Sequence, residues 1–185
     1  MPGRTKEKEW SLMRAIAYDH VKNVPGCVVD IGIGVSTSLL RPISEEFGRN
    51  HYSCDRDRRK CDWASGIGIR SSMMDQAGFL ETFDSVCGEP VSLLFHDADH
   101  SYEAVKRIVT FFSERMSGHG MIMVHDTYPP VKAWEAENYS KFTAYKFRME
   151  LEEDPGFQVF TFPYTAVRFG LTIIMKKLPC FWIRG

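Results

Sequence analysis

The chain has 185 residues, 44% hydrophobic and 25% charged, and its 23 Lys plus Arg against 24 Asp plus Glu give a formal net charge of −1. That length suits one globular domain with its own core, and the composition excludes a disordered chain, a collagen or a coiled coil. The balanced charge leaves no electrostatic footprint for a nucleic acid or an acidic membrane, and no apolar run is long enough to span a bilayer.

Residues 1–9 are polar and lack the apolar core of a secretion signal. The cysteines at 27, 54, 61, 87 and 180 form no Cys-x-x-Cys pair. They read as reduced thiols of a cytoplasmic protein, without a zinc site.

In chain order, Trp10, Met13, Ile16 and Ala17 share one face of a helix predicted over Lys6–Val21, which Asn23-Val24-Pro25-Gly26 ends. Cys27–Ile31 reads as a short buried strand, followed by a Gly-Ser-Thr loop and a helix through Leu39 to Phe47. His51–Cys54 is a second strand, the basic run Arg56–Lys60 a solvated turn, and Gly66–Arg70 a weaker third strand. Val91–His96 is a fourth strand, and Val105, Ile108, Val109 and Phe112 make the apolar stripe of a helix over Tyr102–Met116. Met121–Val124 is a fifth strand, with a helix over Val131–Leu151 after it.

Strand alternating with helix predicts right-handed βαβ units and a parallel sheet. The tail breaks the rhythm, because Phe157–Phe162 and Leu171–Met175 leave no room for a crossover helix. So short a connection suits only antiparallel neighbours. The expected fold class is therefore α/β: a doubly wound, Rossmann-like open sheet of seven strands, mostly parallel with an antiparallel last strand, in a single domain. Its parts are an N-terminal helix (1–24), a core (25–126) and a helix with the closing strand pair (127–185).

In such sheets ligands bind beyond the carboxyl ends of the strands, at the switch in strand order. After the first strand, Gly32 and Gly34 permit a tight turn and close approach of a ligand, and the next helix offers free N–H groups. Asp30 is a carboxylate inside an apolar strand, and a cationic ligand group or a turn N–H would serve as its partner. Asp55, after the second strand, is placed to accept from the hydroxyls of a ribose. Ser72 and Met73 follow the third, where a ring could lie against the methionines. Asp97 and Asp126 project from the ends of two strands expected to be neighbours, and paired carboxylates repel unless a proton or cation joins them. Oxygen ligands suit Mg²⁺, and His125 would add a nitrogen for a softer metal. Asp99 or Ser101 can cap the following helix, and His100 is placed to take a proton from a bound substrate.

These residues carry a resemblance. The series Val28-Val29-Asp30-Ile31-Gly32-Ile33-Gly34 with Ser36-Thr37, then Asp55, then Phe95-His96-Asp97-Ala98-Asp99-His100-Ser101-Tyr102-Glu103, then Gly120–Asp126, resembles class I S-adenosylmethionine-dependent methyltransferases. It is most similar to the branch of small O-methyltransferases and cephalosporin-hydroxylase-like proteins. The resemblance implies that the Asp30–Thr37 loop holds the methionine end of the cofactor and Asp55 its ribose. With Ser72, Met73 and Asp97, the implied cofactor residues are then Asp30, Gly32, Gly34, Ser36, Thr37 and Asp55. It also implies Mg²⁺ on Asp97 and Asp126, with His125 where those members often carry a second carboxylate. Asp99 and His100 match positions proposed as the general base. The glycine loop is shorter than the family's usual one, with Val35-Ser36 where a third glycine is common.

The expected activity is methyl transfer to a hydroxyl of a small-molecule acceptor, assisted by Mg²⁺. Acceptor choice falls to the N-terminal helix, Thr127–Tyr145 and the loop 163–169, where Tyr128, Trp134, Tyr139, Tyr145 and Tyr164 lie. A homodimer is the assembly considered. Two rivals stand beside this reading. One is a nicotinamide-dependent oxidoreductase, for which Thr37 occupies the place of the third glycine. The other is a binding module that keeps the fold without catalysis.

Overall fold

The computed structural model describes residues 3–128, 143–163 and 170–178, with side chains from Trp10 onward. Seven strands form one sheet in the order β3-β2-β1-β4-β5-β7-β6. They are β1 (Cys27–Ile31), β2 (His51–Asp55), β3 (Arg70–Met73), β4 (Val91–His96), β5 (Met116–His125), β6 (Phe157–Phe162) and β7 (Leu171–Lys176). The helices are α1 (Gly3–Asn23), α2 (Val35–Glu46), α3 (Arg58–Gly66), α4 (Gln76–Val86), α5 (Tyr102–Ser113) and α6 (Ala144–Glu153).

The first five strands run parallel, β7 pairs antiparallel with both β5 and β6, and β7 therefore lies inside β6. The expected mostly parallel sheet with a reversed closing strand is what forms. Alternation along the strands divides the core between the two faces. Val28, Leu93, Phe95 and Met123 pack under α1 and α2 with Met13, Ala17, Leu40 and Ile43. Val29, Ile31, Leu94 and Ile122 pack under α4, α5 and α6 with Phe79, Phe83, Ile108, Phe112 and Phe147.

Three expectations need correction. Arg56–Lys60 is not a plain turn, because Asp57 accepts a hydrogen bond from the Arg59 amide at 2.9 Å and starts α3. The third strand lies at 70–73 rather than 66–70. Gly68 turns through φ +84, and Ile69 joins Ile33, Cys61 and Ala64 in a small separate cluster. The unexpected α4 is capped by Asp75, whose carboxylate accepts from the Gly78 amide at 2.9 Å.

Two boundaries also move. The helix after β4 stops at Ser113, since Met116 already pairs with Val91 as part of β5. The helix expected over 131–151 is described from Ala144 and runs on to Glu153, while residues 131–142 lie outside the described residues. Cys27, Cys54, Cys61 and Cys87 are free and buried, and Cys180 lies outside the described residues. Among the described residues no helix is long and apolar enough to cross a membrane.

Candidate active site

Strand order reverses at β1, which has β2 on one side and β4 on the other. A cleft of about 460 Å³ opens there, beyond the carboxyl ends of these strands. Its walls include Gly32, Asp55, Lys60, Gln76, Asp97 and Asp99. Gly32 makes the junction possible. It holds φ +96, and a Cβ at this position would stand 2.1 Å from the Asp97 carbonyl oxygen. Only glycine allows the loop after β1 to cross so close to the end of β4.

Asp55 anchors the cleft floor. Its carboxylate accepts from the Ile33 amide at 3.0 Å, the Asp57 amide at 2.8 Å and the Lys60 ammonium at 2.9 Å. Burial pushes this carboxyl up, but those donors outweigh burial and hold it below the usual carboxylate range. An ionised carboxylate offers about four acceptor sites, so one remains open here. A second opens when the half-exposed Lys60 swings away.

For Asp30, expected to pair with a ligand cation or a turn N–H, the structure supplies hydroxyl partners from the start of α2. This residue is fully buried on the α2 side of β1, and its partners are the hydroxyls of Ser36 at 3.1 Å and of Thr37 in a shorter contact. Burial pushes its carboxyl up to about 7, partly opposed by those hydroxyls and reinforced by the charges of Asp97 and Asp55. Ser36 and Thr37 are themselves buried, and neither they nor Gly34 lines the cleft. The trio sets the loop from below while backbone at Ile31 and Gly32 faces the cleft. Ser72 and Met73 also fall outside the cleft wall, and the neighbouring Met74 lines it instead.

The second group of expected residues converges. Asp97, His100, His125 and Asp126 each bring a polar atom within 4.8 Å of the others. One oxygen of Asp97 lies 3.3 Å from His100 Nε2 and 3.3 Å from His125 Nδ1. The Asp126 carboxylate lies 3.7 Å from His100 Nε2 and 3.1 Å from His125 Nδ1. Burial pushes Asp97 up, but the hydrogen bonds and charge of the two imidazoles outweigh it and bring this carboxyl far below its usual range.

Backbone geometry aims Asp126. Its φ of 57 is left-handed, which Asp tolerates better than most residues, and its amide donates to the Gly170 carbonyl at 2.8 Å. The His125 ring is stacked on Trp10 of α1, with centroids 5.5 Å apart and planes 13° apart. Asp99 is turned to its own helix start, where it accepts from the Ser101 amide at 2.9 Å while Ser101 caps α5.

Several cleft residues carried no signal in the sequence. Lys60 and Gln76 come from α3 and α4, and Arg56 and Asp75 from the turns that lead into them, where the only marks of a helix start were the caps Asp57 and Asp75. His96 is fully buried at the end of β4, and its Nε2 lies 3.1 Å from Gln76 Oε1. Burial drives this imidazole down to about 3, so it is neutral and orients the Gln76 amide at the cleft wall.

A family model described as a methyltransferase domain matches residues 29–127, more than half of the chain. The chain belongs to this family, and its class is that of S-adenosylmethionine-dependent methyltransferases. Among solved structures it is similar to TomG, an O-methyltransferase of tomaymycin synthesis from Streptomyces achromogenes in complex with SAM. The TM-score is 0.71 at 12% identity, over 91% of this chain and 79% of that one. It is also similar to an O-methyltransferase from Bacillus cereus in complex with SAH, with TM-score 0.67 at 11% identity over 96% and 82%. MycE of the mycinamycin pathway, in complex with Mg, SAH and mycinamycin VI, matches with TM-score 0.63 at 15% identity. That match covers 95% of this chain and 52% of MycE. At these identities the likeness is one of fold. No curated protein matches the chain.

Proposed function

We propose that the chain transfers a methyl group from S-adenosylmethionine to a hydroxyl oxygen of a small-molecule acceptor. The observation that carries this reading is the group of Asp97, His100 and Asp126, joined through Asp97 to a cleft that Asp55 also lines. The cleft charges support it. Asp55, Asp75, Asp97 and Asp99 outnumber Arg56 and Lys60 along the wall, which favours a cationic sulfonium over the pyrophosphate of a dinucleotide. Backbone at Gly32, the free acceptor site of Asp55 and the amide of Gln76 supply groups for the amino-acid, ribose and base portions of such a cofactor.

When bound, S-adenosylmethionine supplies a methyl already activated by its sulfonium. The protein has then to align the acceptor oxygen and remove its proton. His100 is the better base of the two expected from the sequence. Burial pushes Asp99 up, but its Ser101 hydrogen bonds and neighbouring imidazoles outweigh this and hold it below its usual range, which makes it a weak proton acceptor. The His100 Nε2 lies 3.3 Å from Asp97 and 3.7 Å from Asp126, so an imidazolium formed by taking the hydroxyl proton would sit between two carboxylates. Asp97 and Asp126 then stabilise the imidazolium. The Mg²⁺ expected from the sequence meets an imidazole nitrogen among its ligands, whereas Mg²⁺ favours an all-oxygen octahedron. The proton transfer is therefore assigned to the chain's own groups.

Calorimetric titration with S-adenosylmethionine and S-adenosylhomocysteine, with NAD as control, tests the cofactor. Micromolar binding of both sulfur compounds, lost in Asp55→Ala, is expected. NAD binding without them would replace this reading by an oxidoreductase, and silence from all three would leave a noncatalytic module. Once an acceptor is found among hydroxylated small molecules, His100→Ala is expected to lower kcat by roughly 10²–10⁴-fold with cofactor affinity kept.

A further inference from the structure

We infer that Arg49, His51 and Arg70, at the amino ends of β2 and β3, form a site for a phosphate group that keeps one proton, either inorganic phosphate or a small phosphate monoester. The inference goes beyond the methyl-transfer reading and does not rest on it. His51 opens β2 and Arg70 opens β3, whereas the cleft lies beyond the carboxyl ends of the strands. A second cavity, of about 400 Å³, lies at this opposite edge of the sheet, walled by these residues, by α2 from Arg41 to Glu45 and by residues 66–69 at the end of α3. That volume falls within the ~300–1,000 Å³ of small-molecule sites, so there is room for a group attached to the phosphate.

Charge sets the sign of the ligand. Arg41, Arg49 and Arg70 stand on the wall against one acid, Glu45. Arg41 is committed, since its Nε donates to the Ile67 carbonyl at 2.7 Å and its Nη2 meets Glu45 at 3.2 Å. Arg49 Nη2 donates to the Val21 carbonyl at 3.4 Å and Arg70 Nη1 to the Tyr52 hydroxyl at 2.6 Å, and among the described residues neither has a carboxylate partner. Two guanidinium charges are left for an anion, and their planar forks suit phosphate oxygens.

A separate observation sharpens the ligand. Arg49 Nε and His51 Nε2 are buried nitrogens without a hydrogen-bond partner, and His51 as a whole is 5% exposed. Such atoms cost free energy that a ligand supplying the missing partners restores. Burial pushes the His51 imidazole down to about 4, so the ring is neutral, with one nitrogen a donor and the other an acceptor. Its Nδ1 lies 3.4 Å from Ser44 Oγ, whose own proton goes to the Arg41 carbonyl at 2.8 Å. Nδ1 is therefore the donor, and Nε2 holds the lone pair. The wall asks its ligand for negative oxygens and for one O–H. A singly protonated phosphate offers both, while sulfate has the same shape and charge but no O–H.

The test titrates the full chain by calorimetry with inorganic phosphate, with ribose 5-phosphate and with sulfate, near the second phosphate pKa of about 6 and without S-adenosylmethionine. Saturable binding of a phosphate, roughly tenfold or more tighter than sulfate, is expected. Tighter binding of the ester would make the attached group part of the ligand, and tighter binding of inorganic phosphate would make the free ion the ligand. Arg70→Gln removes an exposed guanidinium, and Gly66→Glu adds a carboxylate where an added Cβ meets nothing within 4 Å. Each should weaken phosphate binding by roughly tenfold with the melting curve unchanged. Because Arg49 and His51 are packed, the wild-type protein supplies their readout. In an NMR titration the Arg49 Nε–H and His51 ring signals should move with phosphate, while the Ile33 and Asp57 amides beside Asp55 stay still. Sulfate binding as tight as phosphate, shifts at those cleft amides instead, or no saturable binding of either phosphate would overturn the proposal. The last outcome would leave the arginines as covers for the carboxyl ends of helices.

Discussion

Replacing Asp30 by Asn probes the carboxyl that sits beneath the first turn of α2. In the folded chain this group is raised from an ordinary 3.8 to about 7, chiefly by burial. A raised carboxyl holds its proton more tightly in the folded than in the unfolded chain. Its contribution to stability is therefore complete below the unfolded value and is lost as pH rises towards the folded one. The whole range is worth roughly 4 kcal/mol at about 1.4 kcal/mol per tenfold change in proton affinity, and roughly 2.5 kcal/mol of it falls between pH 5 and pH 8. Asn keeps the shape and an acceptor for Ser36 and Thr37 but cannot ionise. Its second amide proton, if left unpaired, costs about 1–3 kcal/mol at every pH.

The wild-type curve alone is a poor readout, because buried imidazoles pull the other way. Burial lowers His96 to about 3 and His51 to about 4, and it also lowers His20 despite the Ser92 carbonyl. These rings stay neutral in the fold and charge on unfolding as pH drops through their unfolded value, so they cost stability in acid. Subtracting wild type from variant removes them. Urea denaturation of both proteins from pH 5 to pH 8, without ligand, is expected to show the Asp30→Asn difference moving by roughly 2.5 kcal/mol in the variant's favour. A difference constant to within about 0.5 kcal/mol would mean that Asp30 is ionised in the fold, and the burial argument would fail.

Two further substitutions separate site geometry from core packing. Gly32→Ala puts a Cβ 2.1 Å from the Asp97 carbonyl at φ +96, so a loss of roughly 3 kcal/mol in denaturation and loss of S-adenosylmethionine binding in calorimetry are expected. Phe83→Ala empties the centre of an aromatic group, with Phe112 at 4.9 Å and Phe79 at 5.6 Å between centroids. It should cost about 3–5 kcal/mol while the folded fraction binds the cofactor as before, as a melt paired with calorimetry at low temperature would show.

How much of this was legible in the sequence depends on whether the signal was local and repeated. Val105, Ile108, Val109 and Phe112 recur at helical spacing and bury one face of α5, so that helix was readable. The strands β1, β2 and β4 are buried along nearly their whole length because both of their faces are covered, as parallel strands require, and their apolar residues made them readable. Helix α3 buries only Cys61 and Ala64, too few to make a stripe, and its basic start looked like a turn. Strand β3 lies at the sheet edge with none of its residues buried, so alternation in Gly66–Arg70 was the stronger pattern and the wrong one.

The sequence by itself determined the order of elements, the parallel sheet with its reversed end, and the set of acidic and histidine residues at the strand ends. Backbone periodicity and strand-end position are properties of neighbouring residues, and so they survive in one dimension. Only the tertiary structure decided what each polar side chain faces. Asp30 turned to the hydroxyls of Ser36 and Thr37, Lys60 came onto Asp55, and His96 came under Gln76. Trp10, 115 positions away in sequence, became the wall behind His125. These partners belong to different elements, and a buried polar group takes whichever donor or acceptor packing brings within about 3 Å. That choice is made by the folded sheet and helices together, after the local pattern has been spent.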